Sequence, residues 1–184
     1  MTTTPLPYFH VNVLTGLRGC RIIEDPSEYA MLIKRAKRPL FVLGANTLTT
    51  MLGGKLLMEW AVEIARTLNI PVVATAHTKK KLMELGYPPA SSYDLIEIIN
   101  HLKDPNWHGV KKEGNHDLVI FLGVRSDLGN QGLSTLKHFA PHLKTMTLCK
   151  YVFPHASYSL ANLRDDKWKE FLEKLIAELN VKEA

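Results

Sequence analysis

The residues of this chain that could hold a ligand stand at the ends of apolar runs. Gly44, Asn46 and Thr47 follow Leu40-Phe41-Val42-Leu43; Thr75 and His77 follow Val72-Val73-Ala74; Gly123, Arg125 and Ser126 follow Leu118-Val119-Ile120-Phe121-Leu122. Short unbroken apolar runs suit strands buried on both faces of a parallel sheet. In such sheets ligands bind beyond the carboxyl ends of the strands. Backbone N–H groups at helix N-termini, with a guanidinium nearby, can hold a pyrophosphate. These eight residues therefore form a candidate nucleotide-binding rim with no reaction attached to it. His77 is the best placed histidine, and with no acid partner in sequence it reads as a ligand contact. Lys79, Lys80 and Lys81 could neutralise a phosphate or form a solvated first turn.

Other chemistry is not in evidence. Gly44-Ala45-Asn46 has one glycine where the dinucleotide fingerprint has three, and Gly53-Gly54-Lys55 lacks P-loop spacing and is read at or inside a helix. No GxSxG or HExxH occurs. His138 and His142 have helical spacing, but Pro141 between them breaks the helix. Cys20 and Cys149 form no CxxC pair and read as reduced thiols, too few for an iron–sulfur cluster. No metal is expected on this chain.

The elements that must position the rim follow from the pattern. Asp25-Pro26-Ser27-Glu28 is a helix start, with Tyr29, Leu32, Ile33 and Ala36 as its apolar face and Lys34, Arg35, Lys37 and Arg38 at its C-terminal end. Those cations complement the helix dipole and read as a solvated end, since no aromatic residues interleave them as a nucleic-acid groove would want. Leu56, Leu57, Trp60, Ala61, Ile64, Ala65 and Leu68 make a helical stripe between two strands, one βαβ unit. Ser91 or Ser92 can cap the next helix (Leu95, Ile98, Ile99, Leu102). Val124-Arg125-Ser126-Asp127 and Gly129-Asn130-Gln131 read as a turn before a helix bearing Leu133, Leu136 and Phe139. Lys144 to Cys149 is a further strand, and an amphipathic helix starts at Asp165. The long polar loop Asp104 to Asn115 holds Trp107, an interface anchor if exposed and a pin for the loop if buried.

At 184 residues, with 46% hydrophobic and 22% charged residues, the chain reads as one α/β domain over 1–184, with residues 1–14 as an N-terminal arm. Tyr8, Phe9, Val11, Val13 and Leu14 make that arm too apolar for a free tail; it packs on this domain or docks on another subunit. The net charge of +5 permits many partners and selects none. With no leader pattern and no run near the ~20 apolar residues of a membrane span, the chain reads as cytoplasmic, with neither a membrane nor nucleic acid as partner.

Ala36 to Gly44, Asn69 to Thr75 and Asp117 to Gly123 resemble the central domain of thiamine-diphosphate enzymes such as acetohydroxyacid synthase. More specifically, Asp104-Pro105-Asn106-Trp107-His108-Gly109, Gly114-Asn115-His116-Asp117 and Tyr158-Ser159-Leu160-Ala161-Asn162-Leu163 resemble the epsilon subunits of archaeal carbon monoxide dehydrogenase/acetyl-CoA decarbonylase–synthase complexes. The resemblance implies a three-layer α/β/α Rossmann-like domain with a mainly parallel six-stranded sheet. It implies an accessory role beside the large nickel–iron–sulfur CO dehydrogenase (alpha) subunit, in an alpha2-epsilon2 assembly within which the chain self-associates. The family's small subunit is expected to stabilise the large one or to pass electrons through FAD. Flavin-binding relatives carry acidic residues where Cys149-Lys150 stand here. The alternative is a free-standing flavin- or nucleotide-binding protein, and acyl-CoA binding by the basic residues is a third reading.

Overall fold

The computed structural model describes residues 19–75 and 77–181; the arm expected over 1–14 lies outside them. The chain opens with β1 (Arg21–Ile22), α1 (Pro26–Arg35) and β2 (Pro39–Leu43). A 3₁₀ turn (Ala45–Leu48) leads to the hairpin β3 (Met51–Leu52) and β4 (Lys55–Leu56), then to α2 (Leu57–Thr67). Next come β5 (Val72–Ala74), α3 (Thr78–Glu84), β6 (Ser91–Ser92), α4 (Leu95–Lys103) and β7 (Leu118–Leu122). The chain closes with α5 (Ser126–Phe139), β8 (Lys144–Thr147), β9 (Tyr158–Ser159) and α6 (Asp165–Asn180).

Seven strands make one sheet in the order β1-β9-β8-β7-β2-β5-β6, with parallel neighbours throughout. The run β6-β5-β2-β7-β8-β9 is the doubly wound Rossmann order, and its direction of growth reverses between β2 and β7. The six strands expected become seven because Arg21 and Ile22 pair with Tyr158 and Ser159 and add an edge. α1, α2 and α6 pack together in one layer, and α4 packs on α5 in the other. Every residue of β7 is buried, as are the last four of β2, which is why both read as unbroken apolar runs. Each fully buried aliphatic side chain there contributes about 1.5–3 kcal/mol.

Aromatic side chains fasten the layers to the sheet with their polar ends satisfied. The Tyr29 hydroxyl donates to Thr147 O at 3.2 Å, and its ring meets Phe171 edge-on at 5.3 Å. Trp168 Nε1 donates to Leu148 O at 2.8 Å. Asp25 caps α1 by accepting from Ser27 N, as its sequence indicates.

Three local expectations are corrected. Ser91-Ser92 is an edge strand and Asp94 is the cap of α4, with Glu97 reaching back to its N–H; a polar carboxylate competes better for that place than the serines. Gly53-Gly54 turns the β3–β4 hairpin with both φ values positive, outside any helix. Gly129-Asn130-Gln131 lies inside α5, which starts at Ser126. Its glycines are there for close packing: a side chain on Gly129 would strike Phe153, and one on Gly132 would strike Ile99 of α4.

The loop 104–117 is held by its own polar groups. Asp117 accepts the N–H groups of Lys37 and Arg38, both at 2.8 Å, tying the start of β7 to the start of β2. Trp107 is half-buried, stacked on His101 at 5.2 Å and tilted against His116 at 5.6 Å, so it pins the loop. His116 is buried with Nδ1 2.9 Å from Arg38 O and Nε2 accepting Val110 N–H at 3.3 Å. Those partners fix a neutral ring with its proton on Nδ1.

At the other end, the turns after β2 and β7 touch. Gly44 N donates to Leu122 O and Asn46 N to Gly123 O, both at 2.9 Å. A Cβ on Gly44 would lie 2.5 Å from Val124 Cα; one on Gly123, whose φ is +67, would lie 2.7 Å from Thr47 N.

Gly123→Ala therefore combines a left-handed φ with a backbone collision. It should cost about 2–5 kcal/mol, read as a lower urea midpoint at unchanged m. His116 gives a pH signature. Burial, the largest influence, pushes its pKa below the ordinary value. The unfolded chain therefore takes up the proton first. Its stabilising contribution is complete above a pH of about 6.5 and is lost as pH falls towards the folded-state pKa. His116→Gln should flatten stability against pH in that window; an unchanged profile would show that His116 does not carry it.

Candidate functional site

The fold collects the sequence-predicted rim at the carboxyl edge of the sheet, and divides it. Gly44, Thr47, Thr75 and Gly123 are buried at the ends of β2, β5 and β7. Asn46, His77, Arg125 and Ser126 are exposed around them. β2 and β7 flank the reversal point, which is the place a doubly wound fold offers a ligand.

The polar atoms of the buried group are spent on one another. Thr47 Oγ1 donates to Gly44 O, Thr75 Oγ1 to Leu43 O and Thr78 Oγ1 to Thr75 O, each at 2.7 Å. Together with the Gly44 and Asn46 bonds across to β7, they leave the first turn without the open row of amides that a pyrophosphate needs. The second turn is closed differently. The backbone N–H groups of Gly123 and Val124 interact with the Cys149 thiol, which is buried and whose pKa burial pushes up to about 11. The thiol is thus protonated at neutral pH and buried against that turn. The first turn of the reversal point accordingly does not fit a dinucleotide pyrophosphate in this conformation.

Among the exposed members, Arg125 is already engaged by a neighbouring carboxylate. The Arg125 guanidinium forks onto Asp127, with Nη2–Oδ2 at 2.6 Å and Nε–Oδ1 at 3.2 Å. That hydrogen bond is also the main influence holding the Asp127 carboxyl below its ordinary pKa. Ser126 begins α5, and His77 stands at the start of α3 without a side-chain capping bond. Lys79 and Lys80 are exposed on the first turn of α3, and Lys81 pairs with Glu84 at 3.3 Å. Among the described residues no group of three His, Cys, Asp or Glu side chains is arranged to hold a metal ion, and no helix is long and apolar enough to cross a membrane.

Clefts lie elsewhere. One of 440 Å³ runs between α6 and the β1 and β9 edge, lined by Phe171, Lys167, Glu170 and Lys174 among others. At the amino edge of the sheet, one of 190 Å³ is lined by Lys37, Arg38, Asn69, Lys111, Glu113 and His116. A third, of 700 Å³, lies beside Trp107, Asp104 and Lys112. Sequence reasoning did not single out Lys111 or His116 for a site. The signal available was their place on the long loop before β7, whose length alone asked for an explanation.

Comparison with known proteins covers most of the chain. The family model described as CO dehydrogenase beta subunit/acetyl-CoA synthase epsilon subunit matches residues 1–177. The acetyl-CoA decarbonylase/synthase complex subunit epsilon of Methanothermobacter thermautotrophicus is 45% identical over 166 residues, 90% of this chain and 92% of that protein. Subunit epsilon 1 of that complex from Archaeoglobus fulgidus is 40% identical over 77% of this chain and 74% of its own. The Methanothrix soehngenii epsilon subunit is 31% identical over 83% and 80%. Agreement over this much of the chain, with the specific segments around Trp107, His116 and Tyr158 inside the matched range, places the chain in the CO dehydrogenase beta subunit/acetyl-CoA synthase epsilon subunit family.

Proposed function

We propose that the chain serves as the epsilon subunit of an acetyl-CoA decarbonylase/synthase complex, binding and stabilising the large nickel–iron–sulfur CO dehydrogenase subunit as an alpha2-epsilon2 assembly. The observation that carries this reading is the near full-length match to relatives that are all named as epsilon subunits of that complex. The cysteines also favour a structural contribution. Cys20 and Cys149 are both buried, and burial raises the pKa of each, so neither is poised as a thiolate ligand or nucleophile. The redox metals in this reading belong to the partner.

A role for FAD-mediated electron transfer would put the flavin at the reversal point between β2 and β7. The hydrogen bonds that close that point weigh towards a scaffold role over a flavin carrier.

An anaerobic pull-down with tagged chain from the cells that make it tests the reading. Recovery of the large nickel–iron subunit in equal amount is expected. Recovery of the chain alone with a yellow chromophore would make the free-standing flavoprotein the better account. Arg125→Ala removes an exposed local ion pair that solvent screens, so recovery should change by no more than about twofold. Loss of assembly with the fold intact would show that rim and interface coincide.

A further inference from the structure

The parallel sheet gathers helix C-termini at one end of the molecule. Each crossover returns its helix antiparallel to the strands, so the C-termini of α1, α2, α4 and α5 gather at the amino edge. Cations at helix C-termini are favoured by the dipole, by about 0.3–1 kcal/mol each. That accounts for Arg35, in the last turn of α1. It does not account for Lys37, Arg38, Lys111, Lys112 and Lys144, which stand in loops or at a strand start on the same edge.

All six of these side chains are exposed, and among the described residues none is in a salt bridge. The ion pairs of the described residues involve other cations, several of them along α6 and at the carboxyl edge. The nearby acids offset the charge only in part: Asp104, Glu113 and Asp117 stand among the six cations, and Asp117 is held in place by the N–H groups of Lys37 and Arg38.

Within this face the cleft lined by Lys37, Arg38 and Lys111 has a built donor. Arg38 Nε donates to Asn115 O at 2.6 Å, and its guanidinium lies across Gly114, where a Cβ would come within 3.1 Å of Cζ. Pinned through Nε, the guanidinium keeps its two terminal nitrogens as a fork, the geometry that recognises a carboxylate in two hydrogen bonds. Pro39, Leu68, Ile70 and Pro71 give the same cleft an apolar wall.

We propose that this amino-edge face, centred on the Arg38 cleft, is the surface on which an acidic segment of another subunit of the complex docks, with a carboxylate entering between Arg38 and Lys111. The proposal rests on the epsilon-subunit reading. Nucleic acid is the poorer occupant, because the lysines surround a narrow cleft and not an extended groove with stacking faces.

The test titrates the full-length chain onto the large CO dehydrogenase subunit, purified anaerobically, at low and at high salt. Lys37→Glu with Lys111→Glu should weaken binding by at least about tenfold and reduce its salt dependence. The milder Lys37→Gln with Lys111→Gln should fall between it and wild type. Both changes are on exposed side chains, so urea midpoints should stay near wild type. Lys79→Glu with Lys80→Glu, on α3 at the opposite edge, should bind as wild type does. Wild-type binding by the Lys37/Lys111 variants would overturn the proposal, as would equal weakening by the α3 pair. Retention on duplex DNA that the Lys37/Lys111 changes abolish, with subunit binding intact, would also overturn it. If wild-type chain fails to bind the subunit at all, the epsilon-subunit reading itself falls.

Discussion

The contact between the turns that end β2 and β7 is what the rest of the structure depends on. Doubly wound sheets leave a crevice where the strand order reverses, and here the chain fills its own crevice. Gly44 and Gly123 let two backbones approach where any Cβ would collide, and Thr47 sits over the second glycine. The Cys149 thiol is buried against the second turn. Once those groups satisfy one another, the carboxyl edge becomes a packed end of the core.

The same topology assigns the opposite edge a different character. Antiparallel return of every crossover helix puts C-terminal dipole ends and their cations together. The loop 104–117 adds lysines beyond what those dipoles attract. That loop is firmly built: Asp117 joins it to β2, His116 bridges Arg38 and Val110, and Trp107 stacks on α4 through His101. Rigid support of this kind costs an interface little ordering entropy on binding. A pre-formed Arg38 fork held by a fixed loop is suited to recognising another protein's carboxylates.

Much of this was legible in the sequence. The apolar runs Leu40 to Leu43 and Leu118 to Leu122 identified the two central strands and their glycine ends because burial on both faces leaves no alternation to misread. The Asp25 cap and the α6 stripe were equally readable. The two-residue strands β1, β6 and β9 were not, since a pair of residues carries no periodicity and their pairing partners are remote in sequence. Gly129 misled as a turn former because a glycine needed for helix contact looks the same in sequence as one needed for a positive φ. The eight rim residues lie at one edge of the sheet, and the hydrogen bonds that several of them make across strands are something spacing does not encode. The charge of the amino edge was visible only as scattered lysines until the fold brought them to one face.

Hydrogen–deuterium exchange on the chain alone, with added FAD, and bound to the large subunit would test most directly whether this protein is a docking scaffold or a ligand carrier. The account predicts that assembly slows exchange in residues 34–38, 66–71 and 104–117, and that FAD leaves the amides of 44–47 and 123–126 unchanged. Protection of 44–47 and 123–126 by FAD, with the amino edge unaffected by the partner, would contradict it.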